Sequence, residues 1–445
     1  MQVDVFEMET TVYDRKLSYK TKLNSVKLKS VTLKSKSKNP SSRAIIGLLC
    51  GMNVRLHNDG GYDRTYAVRG ILRVMKILGL WKWQTEADKE TPRHILWLQY
   101  VQRLVCHGPF TFVFITLMWI EALRANGLDE MGDVLYMSLT EAALIVKILN
   151  IWQHSTKAST FLHALRHNAH FALHSGDEVT FWRNAQKKFR YIIYMYSAGS
   201  VFTVISAFAG VLFVTEPQMA FAYWVPFEWQ SNRRNYWLAY LYDFVSMVCT
   251  AGSNVCLDMM GCYMMFHVSL LYKVLSFRLQ KLRAVKGEDV NEKFKKLILM
   301  HKSIRRMTRE CEILSSKYVL SQIILSALIL CFCCYRIIKL DIVANFGQFL
   351  SMLQFLAVMI FEIFLPCYFG NEITLNSSEI MLDVYRTDWL EYSVANRKLI
   401  ILFREFLKRP DKVTIGGYFE VGLPIFTKVV NNAYSFFALL MNVEK

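Results

Sequence analysis

The chain has 445 residues and a formal charge of +17, with 53 Lys and Arg against 36 Asp and Glu, and 53% of it is hydrophobic. A soluble protein of this length would form two or three domains with an apolar share nearer about 45–50%. Here the surplus is gathered into stretches of bilayer length separated by basic segments, which excludes an ordinary cytosolic enzyme and a secreted disulfide scaffold. The mean hydropathy of +0.22 is too low for a chain made only of spans. The expectation is therefore an all-α polytopic membrane protein with a sizeable helical part in water.

Taken in chain order, Met1 to Thr10 is acidic and has no apolar core, so no signal peptide is expected. Residues 13–38 form a Lys/Ser run, and 1–44 as a whole is expected to be a basic, disordered cytosolic tail that touches anionic head groups. A nucleic-acid role loses to the spans that follow. Residues 45–103 form a cytosolic amphipathic segment. Seven stretches then reach bilayer length: 104–123, 133–153, 191–214 and 236–270, making up spans 1–4 within 104–270; 318–338 and 342–369, making up spans 5–6 within 318–369; and 419–443, the last span within 419–445. Between them, 271–317 and 370–418 alternate charged and apolar residues at helical spacing, as partner-facing or lipid-surface helices do. Residues 376–409 form one such helix, too charged for lipid.

Of the 53 Lys and Arg, 46 fall before the first span and in the 154–190, 271–317 and 370–428 stretches, leaving very few in the alternate loops. By the positive-inside rule the N-terminus is cytosolic, and an odd number of spans puts the C-terminus outside. This is opposite to a G-protein-coupled receptor. All ten cysteines lie in spans or cytosolic segments, so no disulfide is expected. The N-x-S/T sequon, Asn376-Ser377-Ser378, falls on the cytosolic side.

Polar residues inside spans carry the remaining information. Glu141 and Lys147 lie mid-span in the second helix and must face protein or water rather than lipid. Asp243, near the outer end of span four, either bonds a neighbouring helix or recognises a polar group of a ligand. In the last span Lys428, Asn431, Asn432 and Ser435 recur at three- and four-residue spacing, and the same phase reaches Leu439. That stripe suits a water-lined path with an apolar constriction, or a polar seam between helices. Gly416-Gly417 breaks the chain before it. His163, His167, His170 and His174 share one helical phase, which admits a zinc pair but is better read as a solvated face. No metal or other cofactor is expected. Without a phosphate-binding Gly loop, an HExxH or a nucleophile elbow, neither is enzymatic activity.

The C-terminal third resembles the odorant receptor family of insects. The resemblance runs from 362 to 440 and is carried by Cys367, Gly370, Tyr385, Trp389, Arg397-Lys398, Arg409-Pro410, Gly416-Gly417-Tyr418-Phe419 and Tyr434-Ser435. The stretch 293–335, with His301, resembles the family's fifth-helix region. This chain has Ala433 where the family's tail motif usually has Thr, and its basic N-terminal extension is long. The short loop from Arg283 to Glu292 resembles tuning subunits rather than the shared co-receptor, which carries a long insertion there.

The resemblance implies a seven-span ligand-gated, non-selective cation channel. It implies a heterotetramer with co-receptor subunits, set in the plasma membrane of a sensory-neuron dendrite and opened by a small, mostly apolar volatile in olfaction. A gustatory-type channel or a metabotropic receptor is the alternative. Matching on Phe426 places Leu439 at the family's hydrophobic gate; matching on the tyrosine would select Phe437. Tyr385 and Trp389 become expected anchors of a cytosolic subunit interface. A ligand pocket is expected in the outer halves of spans two to six, among Tyr136, Leu139, Ser206, Phe208, Gly210, Tyr240, Phe244, Met247, Leu328 and Cys331. The aromatic-rich loop 221–237 serves either as an interfacial belt or as a lid over that pocket.

Overall fold

The computed structural model describes residues 63–82, 93–125, 127–213, 217–230, 232–282, 289–340 and 346–443. The basic tail expected over 1–44 and the first part of the amphipathic segment lie outside them. Helix α1 (Arg69–Ile77) is followed by α2 (Arg93–His107), which passes through a π-helical stretch, Gly108–Val113, into α3 (Phe114–Arg124). Pro109, with no N–H to give, sits in that stretch, where the widened turn accommodates it.

Four long helices follow the short ones: α4 (Leu128–His167), α5 (Gly176–Leu212), α6 (Arg233–Lys281) and α7 (Asp289–Lys339). Then come α8 (Phe346–Tyr385), α9 (Val394–Leu407), a two-residue hairpin of β1 (Thr414–Ile415) with β2 (Phe419–Glu420), and α10 (Leu423–Val443). Six helical stretches are long and apolar enough to cross a membrane: Arg93–Arg124, Glu130–His167, Gly176–Leu212, Arg233–Lys281, Val290–Lys339 and Phe346–Tyr385. The seventh expected span, α10, is not among them, because Lys428, Asn431, Asn432 and Asn442 dilute its apolar content.

Several expected boundaries move. The 271–317 anchor is not a separate element: its start is the end of α6, at Lys281, and from Asp289 it runs unbroken into the fifth span as the 51-residue α7. The helix expected over 376–409 is two helices. The chain leaves α8 after Tyr385, makes a 3-10 turn at Trp389–Glu391, and restarts with Ser393 as N-cap, its Oγ accepting from the N–H of Asn396 at 3.4 Å. Ser and Asp compete with the helical backbone in this way, and the charge content of 376–409 carried no trace of it. The last helix begins at Leu423, not Phe419, and its 21 residues span about 31 Å, still enough for a bilayer. Gly416 and Gly417, at φ +59° and +78°, form the hairpin turn, where the left-handed backbone favours glycine. The four histidines do not share a helix either. Helix α4 ends at His167, whose ring stacks on that of His163, while His170 sits in a 3-10 turn.

Helix α6 is the axis of the bundle and is buried along most of its length. Two apolar cores lie along it. The larger surrounds its C-terminal half, with Tyr263, Val268, Tyr272 and Leu275 against Ile304, Ile373, Ile380 and Ile400. The smaller lies at the other end, among Phe114, Tyr136, Phe208, Phe221, Met247 and Phe355. Outward faces of α3 and α5 carry exposed apolar residues such as Leu123, Phe202 and Ile205, as lipid-facing helices do.

The half of the bundle around the C-terminal part of α6 is stitched by charge. Arg278, near the end of α6, donates to Glu178 at 2.9 and 3.2 Å and to the carbonyls of His170 and Ala172 at 3.1 and 2.5 Å. Asp411 accepts from Tyr272 at 2.7 Å and pairs with Arg305 at 2.9 Å. The sequon residue Asn376 is buried and donates to Ser269 at 2.7 Å, so no glycan fits there. Burial works against the Glu178 carboxylate, but the Arg278 guanidinium and the His174 backbone N–H hold it below its ordinary value. Its contribution to stability is therefore present above the unfolded carboxylate's range and lost as pH falls through the lower folded value. Glu178→Gln is expected to lower stability at neutral pH by roughly 1–3 kcal/mol and to flatten the acid side of a melting-temperature profile. An unchanged acid limb would show that the pair contributes nothing.

Candidate functional site

The smaller core gathers most of the expected ligand residues. Tyr136 and Leu139 from α4, Phe208 from α5 and Met247 from α6 are buried together, with Tyr240 and Leu328 at the edge. Tyr136 meets Phe355 edge-on at 5.3 Å, and Phe208 meets Tyr240, Phe244 and Phe221 at 5.4, 5.1 and 5.8 Å. These are the offset and T-shaped pairs that aromatic quadrupoles prefer.

Four residues sit differently. Ser206 donates to Gln354 at 3.0 Å and joins α5 to α8. Gly210 faces the Gly347 backbone, where an added Cβ would lie 3.3 Å from the Gly347 carbonyl carbon, so the room left by the glycine is taken by a close helix crossing. Phe244 is 39% exposed and leans on Phe208 from outside. Cys331 is buried on α7.

The aromatic loop divides between its two readings. Phe221 and Tyr223 are buried in the smaller core, and Tyr223 donates to the Ala239 carbonyl at 2.8 Å. The Trp224 N–H donates to the Leu117 carbonyl at 3.1 Å, so the loop folds back over the core like a lid. Phe227 and Trp237 instead remain exposed, as belt residues would.

Below this core lies a polar cluster that only Lys147 announced in the sequence. Its ammonium is 2.7 Å from Asp258, 2.7 Å from Glu362 and 2.8 Å from the Asn254 side-chain oxygen. Gln322 donates to Glu362 at 2.9 Å and Tyr196 to Asp258 at 3.2 Å. One cation thus holds two carboxylates among side chains from α4, α5, α6, α7 and α8, all far from water. The expected pairing of the mid-span charge is met for Lys147. Glu141 is buried too, and its Oε2 has no partner among the described residues. Neither Asp258 nor Glu362 stood out in the sequence, and nothing in the linear pattern said that three helices bring them to one lysine.

Helix α10 is held by one stripe. Val429 and Ala433 are buried against the bundle, with Ile425 and Phe426 packed beside them. Lys428, Asn431, Asn432, Ser435 and Leu439 all face away from it, Leu439 with 62% of its surface bare. The polar stripe is therefore not a seam within this subunit. Gly370 of α8 sets the approach to α10: a Cβ there would lie 2.6 Å from Val421, just before the helix. At the end of α8, Tyr385 is exposed under the Arg404 guanidinium, 5.0 Å from its ring centroid, whereas Trp389 is partly buried.

Known proteins agree with this arrangement. Residues 127–434 match the family model described as 7tm Odorant receptor. Odorant receptor 94a of Drosophila melanogaster is 47% identical over 86% of this chain and 98% of its own length. Odorant receptor Or1 of Anopheles gambiae is 19% identical over 86% of this chain and 97% of its own length. Among solved structures, the olfactory receptor OR5 from Machilis hrabei in complex with eugenol superposes with a TM-score of 0.76 at 16% identity, covering 86% of this chain and all of that one. A helical membrane bundle of this topology, matched over more than half its length by one family model, belongs to the odorant receptor family of insects, as a tuning receptor and not an enzyme.

Proposed function

We propose that this chain is the odorant-binding subunit of a heteromeric, non-selective cation channel that opens when a small, mostly apolar volatile enters the smaller core. The observation that carries this reading is α10: a helix of bilayer length, packed by one narrow stripe, whose polar face and Leu439 are left bare. A lone receptor would expose that face to lipid, at a cost of several kcal/mol for its unpaired polar groups. A ring of such helices around an axis would instead turn it to water and bring Leu439 into a constriction.

Lys428 on the same face opposes a cation at the inner mouth, which favours assembly with co-receptor subunits over a homomer. Tyr385 and Trp389, with the exposed Leu390, Val394 and Phe406, are the anchors proposed for the cytosolic interface of a heterotetramer. The Lys and Arg distribution supports a cytosolic N-terminus and an extracellular C-terminus, and membership of the odorant receptor family supports the plasma membrane of a sensory dendrite as its place. The odorant receptor relatives do not favour the gustatory or metabotropic alternatives.

The test is whole-cell current from cells expressing this chain alone and with an insect odorant co-receptor, against a panel of volatiles. Cation current within milliseconds, only in co-expressing cells, is the expected result; robust current from the chain alone would overturn the heteromeric reading. Leu439→Ala is expected to raise the current without odorant several-fold, because a dewetted constriction of leucines loses its apolar bulk. Unchanged basal current would remove Leu439 from the gate.

A further inference from the structure

The smaller core contains one carboxylate that the fold leaves half used. Asp243 lies on α6 with none of its surface exposed. Its Oδ2 accepts from the Phe221 N–H of the overlying loop at 3.2 Å. Its Oδ1 has no partner among the described residues, and neither has the Oγ of Ser246, one turn along the same face and equally buried.

The nearby phenols do not serve it. Tyr136, Tyr223 and Tyr240 are close enough to feel its charge. Yet Tyr223 gives its hydroxyl proton to the Ala239 carbonyl at 2.8 Å and Tyr240 to that of Phe208 at 2.9 Å. Among the described residues no lysine or arginine forms an ion pair with Asp243, in contrast to Asp258 and Glu362, which share Lys147. Holding the loop at the Phe221 and Ala220 N–H groups requires only a side-chain acceptor, which an amide oxygen supplies without the cost of burying an acid. A second oxygen without a partner, beside an unpaired serine and walled by aromatic rings, is half of an interaction.

We propose that Asp243 is a specificity-determining residue of the ligand chamber, its Oδ1 accepting a hydrogen bond from an O–H or N–H donor on an otherwise apolar odorant, with Ser246 beside it. This rests on the channel reading above. The favoured ligands are small alcohols, phenols or amines, whose apolar bodies lie against Phe208, Met247 and Tyr136. An ether or ester of equal size has no hydrogen to give the Asp243 Oδ1 and leaves it unpaired, and a site built around a donor discriminates strongly against an analogue lacking it.

Isomer pairs isolate the donor from size and apolar area: benzyl alcohol with anisole, and 1-hexanol with methyl pentyl ether. Dose–response currents are recorded for each pair, and for benzylamine, from cells co-expressing the co-receptor with the natural chain, Asp243→Asn or Asp243→Leu. The natural chain is expected to favour the donor member of every responding pair. In Asp243→Asn the amide oxygen keeps the Phe221 N–H and turns an NH2 to the chamber, so the donor-to-ether potency ratio falls on the order of ten- to hundredfold. Asp243→Leu abolishes the preference. Because the ratio compares two ligands on the same cells, it is insensitive to surface delivery, and a purely structural role would shift both members alike. A ratio unchanged in Asp243→Asn, or a natural preference for ethers, overturns the proposal and leaves the channel intact. Absence of odorant-evoked current from the natural chain with its co-receptor would overturn the channel reading and this proposal with it.

Discussion

Lys147→Met is expected to abolish most surface receptor and to cost about 3–5 kcal/mol, the range for removing one partner of a buried charge group. The ammonium sits 2.7 Å from each of two carboxylates with nine-tenths or more of every side chain buried. Without it, Asp258 and Glu362 face each other as like charges in a medium where repulsion is poorly screened. The measurement is thermal stability of detergent-purified receptor, with cell-surface labelling beside it. Adding Asp258→Asn and Glu362→Gln removes the stranded charges and should recover much of the loss. Non-additivity is expected because all three groups share contacts. A Lys147→Met receptor as stable as the natural one would show that the acids are held neutral and the lysine is dispensable.

Gly261→Ala is the second large effect, and its cause is steric. A Cβ on Gly261 would lie 2.8 Å from the Cζ of Tyr318 and closer still to its hydroxyl oxygen. Tyr318 is itself almost wholly buried in the larger core, so its ring has nowhere to swing. Overpacking of this kind costs about 1–3 kcal/mol, at the upper end where the obstacle is a rigid ring. Gly252→Ala, where the nearest atom is Leu78 Cδ1 at 3.8 Å, is the matched control on the same helix and should be nearly neutral. Shortening the ring with Tyr318→Leu should rescue Gly261→Ala. Equal melting temperatures for the Gly261 and Gly252 variants would refute the close approach of α6 to α7.

Sequence and structure part company according to the range of the interaction. Spans were legible because each needs its own run of apolar residues, whatever its neighbours are. Their ends were less so. The merger of the anchor from Asp289 onward with the fifth span into α7 reflects a helix that needs no break on leaving the membrane. The division of 376–409 depends on Ser393 capping a new start, a local choice that hydrophobic period does not encode. The stripe on α10 was visible from spacing alone, since four polar residues at helical intervals define a face without a partner.

The smaller core was legible only as a class. Aromatic residues in outer halves of spans are common, and periodicity cannot say that Phe208 meets Phe244 while Gly210 is filled by Gly347. Cys331, in the same outer half, is placed on α7 without a contact that marks it for ligand.

By itself, the sequence determined the all-helical class, the bilayer-length segments, the charge asymmetry along the chain and the polar face of α10. Each of these is a property of one segment and its solvent. Tertiary structure alone decided that Lys147, Asp258 and Glu362 form one cluster, that the 217–230 loop covers the smaller core, and that one Asp243 oxygen beneath it has no partner among the described residues. Those are meetings between helices more than a hundred residues apart or between a loop and a helix face, and their energies depend on distance and burial that no linear pattern contains.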